Sequence, residues 1–246
     1  MTSLENKTVL ITGASRGIGA ATALVCAEAG ARVLPHATGM SDAAATVAST
    51  LDTEFLYADL SDEGAGDRLF KAALERTGRI DCVVNNAGVY LASPLSGDSW
   101  GLGWAKTMAV NVQAPADICR AAVAHFRHGG TGGAIVNIAS RAGHRGDGPD
   151  HAAYAASKGA VLAMTKTWAR ALASEDIHVY AIAPGWVETR MAPEDIKKRA
   201  DAVSDIPLGR VAQPQEVAEM VAFLLSGACP SAVGATFDIN GASYVR

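Results

Sequence analysis

Short runs of β-branched and other apolar residues alternate along the chain with longer, alanine-rich segments whose apolar positions recur at helical spacing. TVLIT (8–12), ARVLPH (31–36), EFLYA (54–58), DCVVN (81–85), AIVNIAS (134–140), HVYAIA (178–183) and ATFDIN (235–240) predict seven strands. These runs are nearly continuous in apolarity, as strands buried on both faces must be. With helices between them, they predict an α/β fold: a doubly wound, mostly parallel sheet with helices on both faces. Pro35 cannot donate a ladder hydrogen bond, so pairing is expected to be ending at the close of the second strand. RHGGTGG (127–133) reads as a turn entering a strand. MAPEDIKKRADAVSDIP (191–207), the longest stretch without strand character, is expected to form a mobile helical flap.

Composition narrows this to one domain over 1–246: 49% of residues are hydrophobic, 19% charged and 6% aromatic, enough for a sizeable core of Ala, Val, Ile and Leu. No apolar run approaches the roughly 20 residues that span a bilayer, and MTSLENKTVL lacks a basic region followed by an apolar stretch, so a soluble, cytoplasmic protein is expected. A net charge of −4 without a basic run argues against nucleic acid as partner. Cys26, Cys82, Cys119 and Cys229 are scattered, which suggests buried thiols in a reducing compartment and gives no support to a metal site.

Candidate chemistry begins at TGASRGIG (12–19), between the first strand and a helix whose apolar face is read as Ala20, Ala23, Leu24 and Ala27. Gly13 permits a tight turn, Gly17 lets backbone approach a pyrophosphate, and Gly19 allows close helix–strand packing. The helix N-terminus favours the ligand's negative charge. A second signal is YAASK (154–158). Positions i and i+4 share a helix face, so Tyr154 and Lys158 point the same way, with the small Ala155, Ala156 and Ser157 leaving room for a cofactor. A free tyrosine, with pKa about 10, exchanges protons poorly at neutral pH; a nearby ammonium lowers that value.

The glycine pattern, followed in order by NNAG (85–88), Ser140, YAASK and PGWVET (184–189), resembles the compact short-chain dehydrogenases/reductases over essentially the whole chain. The resemblance implies a Rossmann-like fold, a nicotinamide cofactor and carbonyl/alcohol redox chemistry. Tyr154 then exchanges a proton with the substrate oxygen, Lys158 also holds the nicotinamide ribose, Ser140 binds the substrate oxygen, and Asn111 holds a water in a proton path to the lysine. Implied cofactor contacts are Gly13, Ser15, Arg16, Gly17, Ile18 and Gly19 at the phosphates, Asp59 and Leu60 at the adenine, and Asn85, Asn86, Ala87 and Gly88 beside the adenosine. Pro184, Gly185, Val187 and Thr189 complete the set at the nicotinamide. The loop between Ser140 and Tyr154 is about one residue longer than the commonest family spacing, which alters pocket shape.

In this fold a carboxylate at the end of the second strand selects NAD(H). This chain offers His36, Ala37, Thr38 and Ser41 there, and Arg16 could pair with a 2′-phosphate, so NADP(H) is expected over NAD(H). The pocket is expected to be lined by Ser140 to His151, Tyr90, Leu91, Trp186 and the flap over 190–207. His144 and His151 match no family catalytic residue and are expected to line the pocket or face solvent. Arg141, Arg145 and Arg190 could attract an acidic substrate, although loop arginines are commonly solvated.

The expected partner is a small carbonyl or secondary alcohol. One alternative is 3-oxoacyl-carrier-protein reductase, which the chain resembles at IPLGRVAQPQEVAEMVAFLLS (206–226). Such enzymes usually present basic residues before the sixth strand, where this chain has SEDIHV (174–179), and Tyr180 stands where the family commonly has asparagine. Another alternative is a non-catalytic NADP(H)-binding regulatory protein, which has no need of a proton relay; an epimerase would usually carry a further substrate domain. Val161, Leu162, Met164, Trp168 and Leu172 make the helix after Tyr154 look too apolar for one sheet face, and with the family resemblance this predicts a homotetramer.

Overall fold

A computed structural model describes residues 2–96, 100–190 and 195–246, apart from the side chains of Ile196 and Lys198. The strands are β1 (Thr8–Ile11), β2 (Arg32–Ala37), β3 (Leu56–Tyr57), β4 (Cys82–Asn85), β5 (Gly133–Ile138), β6 (Ile177–Pro184) and β7 (Thr236–Ile239). The helices are α1 (Gly17–Glu28), α2 (Asp42–Leu51), α3 (Ala65–Thr77), α4 (Trp100–Met108), α5 (Ala114–Gly129), α6 (Ala142–Arg145), α7 (Ala152–Leu172), α8 (Ile196–Ser204) and α9 (Pro214–Ser226). The strands form one seven-stranded sheet in the order β3-β2-β1-β4-β5-β6-β7, every pair parallel.

Successive side chains on a strand face opposite ways, and here both faces are covered. Val9 and Ile11 join a core with Ala23 and Cys26 of α1 and Val217, Val221 and Leu225 of α9. Leu10, between them, joins Leu69 and Phe70 of α3 and Ile118 and Phe126 of α5. Each fully buried Leu, Ile or Val contributes about 1.5–3 kcal/mol.

Several expectations need correction. The buried residues of α1 are Gly19, Ala21, Thr22, Ala23 and Cys26, whereas Ala20, Leu24 and Ala27 are only half-buried. Close packing at Gly19 sets which side of that helix meets the sheet. Pairing does not end at Pro35: β2 pairs with β1 up to the Ile11–Pro35 position and then with β3 from His36. The His36 carbonyl accepts from Ala14 on the β1 side and the Ala37 carbonyl from Ala58 on the β3 side. By that alternation the Pro35 nitrogen faces β3 just ahead of its first ladder pair, where no donor is needed.

Cys229 is exposed, unlike the other three cysteines. On α7, Val161, Leu162 and Leu172 are buried within the chain, and Met164 and Trp168 pack partly against its cores. Intrachain packing therefore takes up three of the five positions fully and the other two in part. The expected flap is helical over α8, while 191–194 lie outside the described residues. Among the described residues no helix is long and apolar enough to cross a membrane.

The strand order runs outward in opposite senses from the adjacent pair β1 and β4. Ligands in open α/β sheets bind beyond the carboxyl ends of strands at such a reversal.

Candidate active site

Beyond β1 the chain turns through Gly13 into α1. Gly13 has φ +65°, and a Cβ there would lie 2.9 Å from Ala87 Cα; one on Gly19 would lie 2.2 Å from the Gly13 carbonyl oxygen. Only glycine lets the helix start this close to the turn. Side chains from three strand ends hold it. Thr12 Oγ1 accepts from the N–H groups of Asn86 and Ala87, each at 3.0 Å. Asn86 Nδ2 donates to the carbonyls of Thr12 and Gly13 at 2.9 and 3.1 Å. The Gly13 N–H donates to His36 Nδ1 at 3.3 Å, and His36 Nε2 lies 3.0 Å from the Ala58 carbonyl. That pairing requires the neutral ring with its proton on Nε2, and burial lowers the imidazole's pKa accordingly. Both His36 nitrogens are thus engaged in holding the turn.

A cleft of about 660 Å³ opens beside this turn. The N-terminus of α1 has no side-chain cap and no acidic residue in its first turn, and Ser15, Arg16, Gly17 and Ile18 line the cleft. An uncompensated helix terminus beside an arginine fits a pyrophosphate. Thr38, Asp59, Leu60, Asn86, Ala87, Gly88, Pro184, Gly185, Val187 and Thr189 also line it. Thr189 Cγ2 lies 3.0 Å from where a Cβ on Gly17 would stand, so the loop after β6 closes over the glycine turn. No carboxylate stands at the end of β2; Thr38 is exposed there, and Ser41 instead caps α2, accepting from Ala44 at 3.2 Å. The Asp59 carboxyl is held below its usual range mainly by hydrogen bonds from the Ser61 hydroxyl and N–H. Gly19, Asn85 and Asn111 are set behind the lining. Asn85 donates to Asn137 Oδ1 at 2.9 Å inside the core.

Ser140, Tyr154 and Lys158 line this same cleft. Ser140 follows the end of β5, where its Oγ accepts from the Ala142 N–H at 3.1 Å. Tyr154 and Lys158 share one face of α7; Ala155, Ala156 and Ser157 point elsewhere and do not line the cleft. The Lys158 ammonium sits 5.7 Å from the centroid of the Tyr154 ring and donates to the Ile138 carbonyl at 2.7 Å. Burial pushes the lysine down to about 8, which leaves it charged at neutral pH. The expectation that Lys158 lowers the Tyr154 pKa is not met in this geometry. Desolvation pushes the phenol up to about 12, with contact to the Ser140 side chain pulling the other way, and the ammonium is turned toward Ile138. Tyr154 is therefore a protonated phenol at neutral pH.

Asn111 lies in a π-helical turn over Ala109–Gln113, between α4 and α5. Its Oδ1 accepts from the Val89 N–H at 2.8 Å, and Nδ2 donates to the Val89 carbonyl and to Ser157 Oγ, each at 3.0 Å. Ser157 in turn donates to the Tyr154 carbonyl at 2.7 Å. Asn111 thus ties the strand leaving β4 to the start of α7. A Cβ on Gly88 would lie 3.4 Å from Asn111 Oδ1 and 3.6 Å from Lys158 Nζ, which puts those two atoms on one small space.

Tyr90, Leu91, Trp186 and Arg190 line the cleft as expected. The sequence did not reveal that the Tyr90 ring stacks on His151 at 3.9 Å and meets Tyr154 edge-on at 4.7 Å. Burial, and then the Asp147 charge, raise the Tyr90 pKa. His151 therefore neither lines the cleft nor stands free in solvent; it backs Tyr90. His144 is also outside the lining, stacked on Tyr244 at 5.7 Å. Arg141, expected as a solvated loop residue, lines the cleft and is 6% exposed, whereas Arg145 is exposed.

Residues 13–241 match the family model described as enoyl-(acyl carrier protein) reductase. A 3-oxoacyl-[acyl-carrier-protein] reductase of Thermotoga maritima is 36% identical, over 97% of this chain and 98% of its own. An NADP-dependent (R)-specific alcohol dehydrogenase of Lentilactobacillus kefiri is 32% identical over 97% and 96%. A putative NAD(P)-dependent gluconate 5-dehydrogenase from Beutenbergia cavernae, solved with NADP bound, superposes with a TM-score of 0.90 at 34% identity over 98% of this chain and 97% of that one.

Proposed function

The chain belongs to the short-chain dehydrogenase/reductase family, and we propose that it is an NADP(H)-preferring oxidoreductase interconverting a small carbonyl compound and a secondary alcohol. The observation that carries this reading is the convergence of Ser140, Tyr154 and Lys158 on the cleft that also contains the glycine turn. When bound, the nicotinamide supplies or takes the hydride. Ser140 donates a hydrogen bond to the substrate oxygen and steadies the charge that develops there. Tyr154, kept protonated by its surroundings, gives its proton to that oxygen as the carbonyl becomes an alcohol. In the reverse direction the phenol must first lose a proton, and Lys158, 5.7 Å from the ring centroid, favours the phenolate only on turning from the Ile138 carbonyl toward the hydroxyl. Both amide hydrogens of Asn111 are engaged, but one Oδ1 lone pair is free to hold a relay water beside Lys158. Arg16 and the absence of a carboxylate beyond β2 support NADP(H).

A cytoplasmic location and a homotetramer complete the proposal; sedimentation as a monomer overturns the latter. The match to the Thermotoga maritima reductase favours a second reading, reduction of a 3-oxoacyl group on a carrier protein. Against it, Glu175, bidentate to Arg127 at 2.6 and 2.7 Å, and Asp176 stand ahead of β6, where an acidic carrier would meet like charge.

A screen of ketones, secondary alcohols and a 3-oxobutanoyl thioester with NADPH and NADH, followed at the reduced-nicotinamide absorbance, tests direction and substrate class together. Tyr154→Phe should bind NADPH as tightly as the parent yet lose roughly a hundredfold or more in turnover. Retained turnover removes the proposed role.

A further inference from the structure

The residue after Ser140 is an arginine that nothing in the hydride-transfer scheme uses. Arg141 lines the cleft and is 6% exposed, so its guanidinium has been taken almost entirely out of water. Its Nη1 is closed to solvent and makes no hydrogen bond among the described residues, so a bound anion is met by the other N–H groups of the fork or by a small turn of the side chain. The carboxylates felt at longer range are Asp205 and the exposed Asp147, while Arg145 adds a second positive charge on the same cleft. A buried cation without a bonded counter-charge is costly to the fold. The backbone gives it no freedom to leave: the Arg141 N–H donates to the Pro184 carbonyl at 3.0 Å, and its own carbonyl accepts from His144 and Arg145 at 3.0 and 3.1 Å.

The geometry points to Arg141 as the anchor for a carboxylate on the substrate, making the substrate of this site a small oxo acid or hydroxy acid rather than a neutral carbonyl compound. A guanidinium is planar with paired N–H donors, the complement of the two oxygens of a carboxylate. Ser140 and Arg141 are consecutive and both line the cleft, so one small molecule bound there can be shared between them. The reacting oxygen bonds to the first, and a carboxylate one or two carbons away bonds to the second. Arg145, exposed at the rim, draws the anion in. This inference rests on reading the cleft as the oxidoreductase site and narrows what that site accepts.

The test is calorimetric titration of the full chain, saturated with NADP+, using pyruvate, 2-oxobutanoate and 3-oxobutanoate against their methyl esters. The parent should bind at least one acid about tenfold or more tightly than its ester, the scale of a lost hydrogen bond to a charged group. Arg141→Met, which removes a buried charge and so should fold at least as well, brings the acid-to-ester ratio down to about one; Arg141→Lys, with charge but no fork, falls between. Equal binding of acid and ester by the parent, no binding of any acid, or an undiminished ratio in Arg141→Met overturns the assignment. An acid preference that depends on Arg141, in a chain that turns over none of these compounds, keeps this assignment and sinks the oxidoreductase reading. Turnover of the esters at the rate of the acids, unaffected by Arg141→Met, does the reverse.

Discussion

Replacing Lys158 by methionine keeps an unbranched side chain of similar length in place while deleting a charge that the fold accommodates poorly. Lys158 is 5% exposed, and burial brings its pKa from 10.5 to about 8. At about 1.4 kcal/mol per tenfold, holding the charged ammonium there costs about 3 kcal/mol of stability at neutral pH. Methionine removes that cost but leaves the Ile138 carbonyl without its 2.7 Å donor, a loss of about 1–2 kcal/mol. The variant should therefore be more stable by about 1–2 kcal/mol, a rise in Tm of about 4 °C for a chain of this length, while losing most of its turnover. The sign of the pH dependence follows from the lowered native pKa. Between about 8 and 10.5 the unfolded chain holds the proton more tightly than the native one, so parent stability grows as pH rises through that window and falls as pH drops toward 8. Calorimetric melting of both proteins without nucleotide, at about pH 7 and about pH 9.5, should show the gap closing at the higher pH. A variant that melts lower at neutral pH, or a gap indifferent to pH, refutes the claim that this charge is buried at the fold's expense.

Gly19→Ala would drive a methyl into the Gly13 carbonyl oxygen at 2.2 Å; NADPH affinity should fall about tenfold or more as the turn gives way, measured by nucleotide fluorescence titration, and an unchanged affinity rejects the close-packing role. Arg16→Gln should weaken NADPH by about tenfold or more and leave NADH within about twofold in the same titration; equal losses for both would show that Arg16 does not read the 2′-phosphate.

What was legible in the chain is what depends on residue type at fixed local spacing. The seven apolar runs, the helices between them, the glycines of the turn and the Tyr154/Lys158 pair belong to this class, since a parallel sheet needs continuous apolar strands and a helix brings i and i+4 together. Where the local signal is ambiguous, tertiary contacts decide. Alanine is abundant around the circumference of α1, so apolarity does not say that Gly19, Ala21, Thr22, Ala23 and Cys26 are the buried positions; contact between Gly19 and the turn decides it. The sequence likewise does not disclose that β6, α4 and two separate cores take up much of the apolar surface of α7.

The side chains that hold the site had no such signal, for a reason built into the topology. Thr12, His36 and Asn86 all bond to or around one glycine turn, yet they lie beyond β1, within β2 and beyond β4. They meet only because β1 lies between β2 and β4 in the sheet, and strand order is a tertiary fact. The same holds for His151 behind Tyr90 and for Asn111 between Val89 and Ser157. Arg141 is the instructive intermediate case, because its neighbour Ser140 was identifiable but its burial was not. A loop arginine is ordinarily solvated, and only the 3.0 Å bond from its N–H to Pro184 at the end of β6 shows the loop drawn inward. A residue that touches ligand can be recognised by its chemistry. One that aims another residue can be recognised only by its partner, and here most partners lie on other strands.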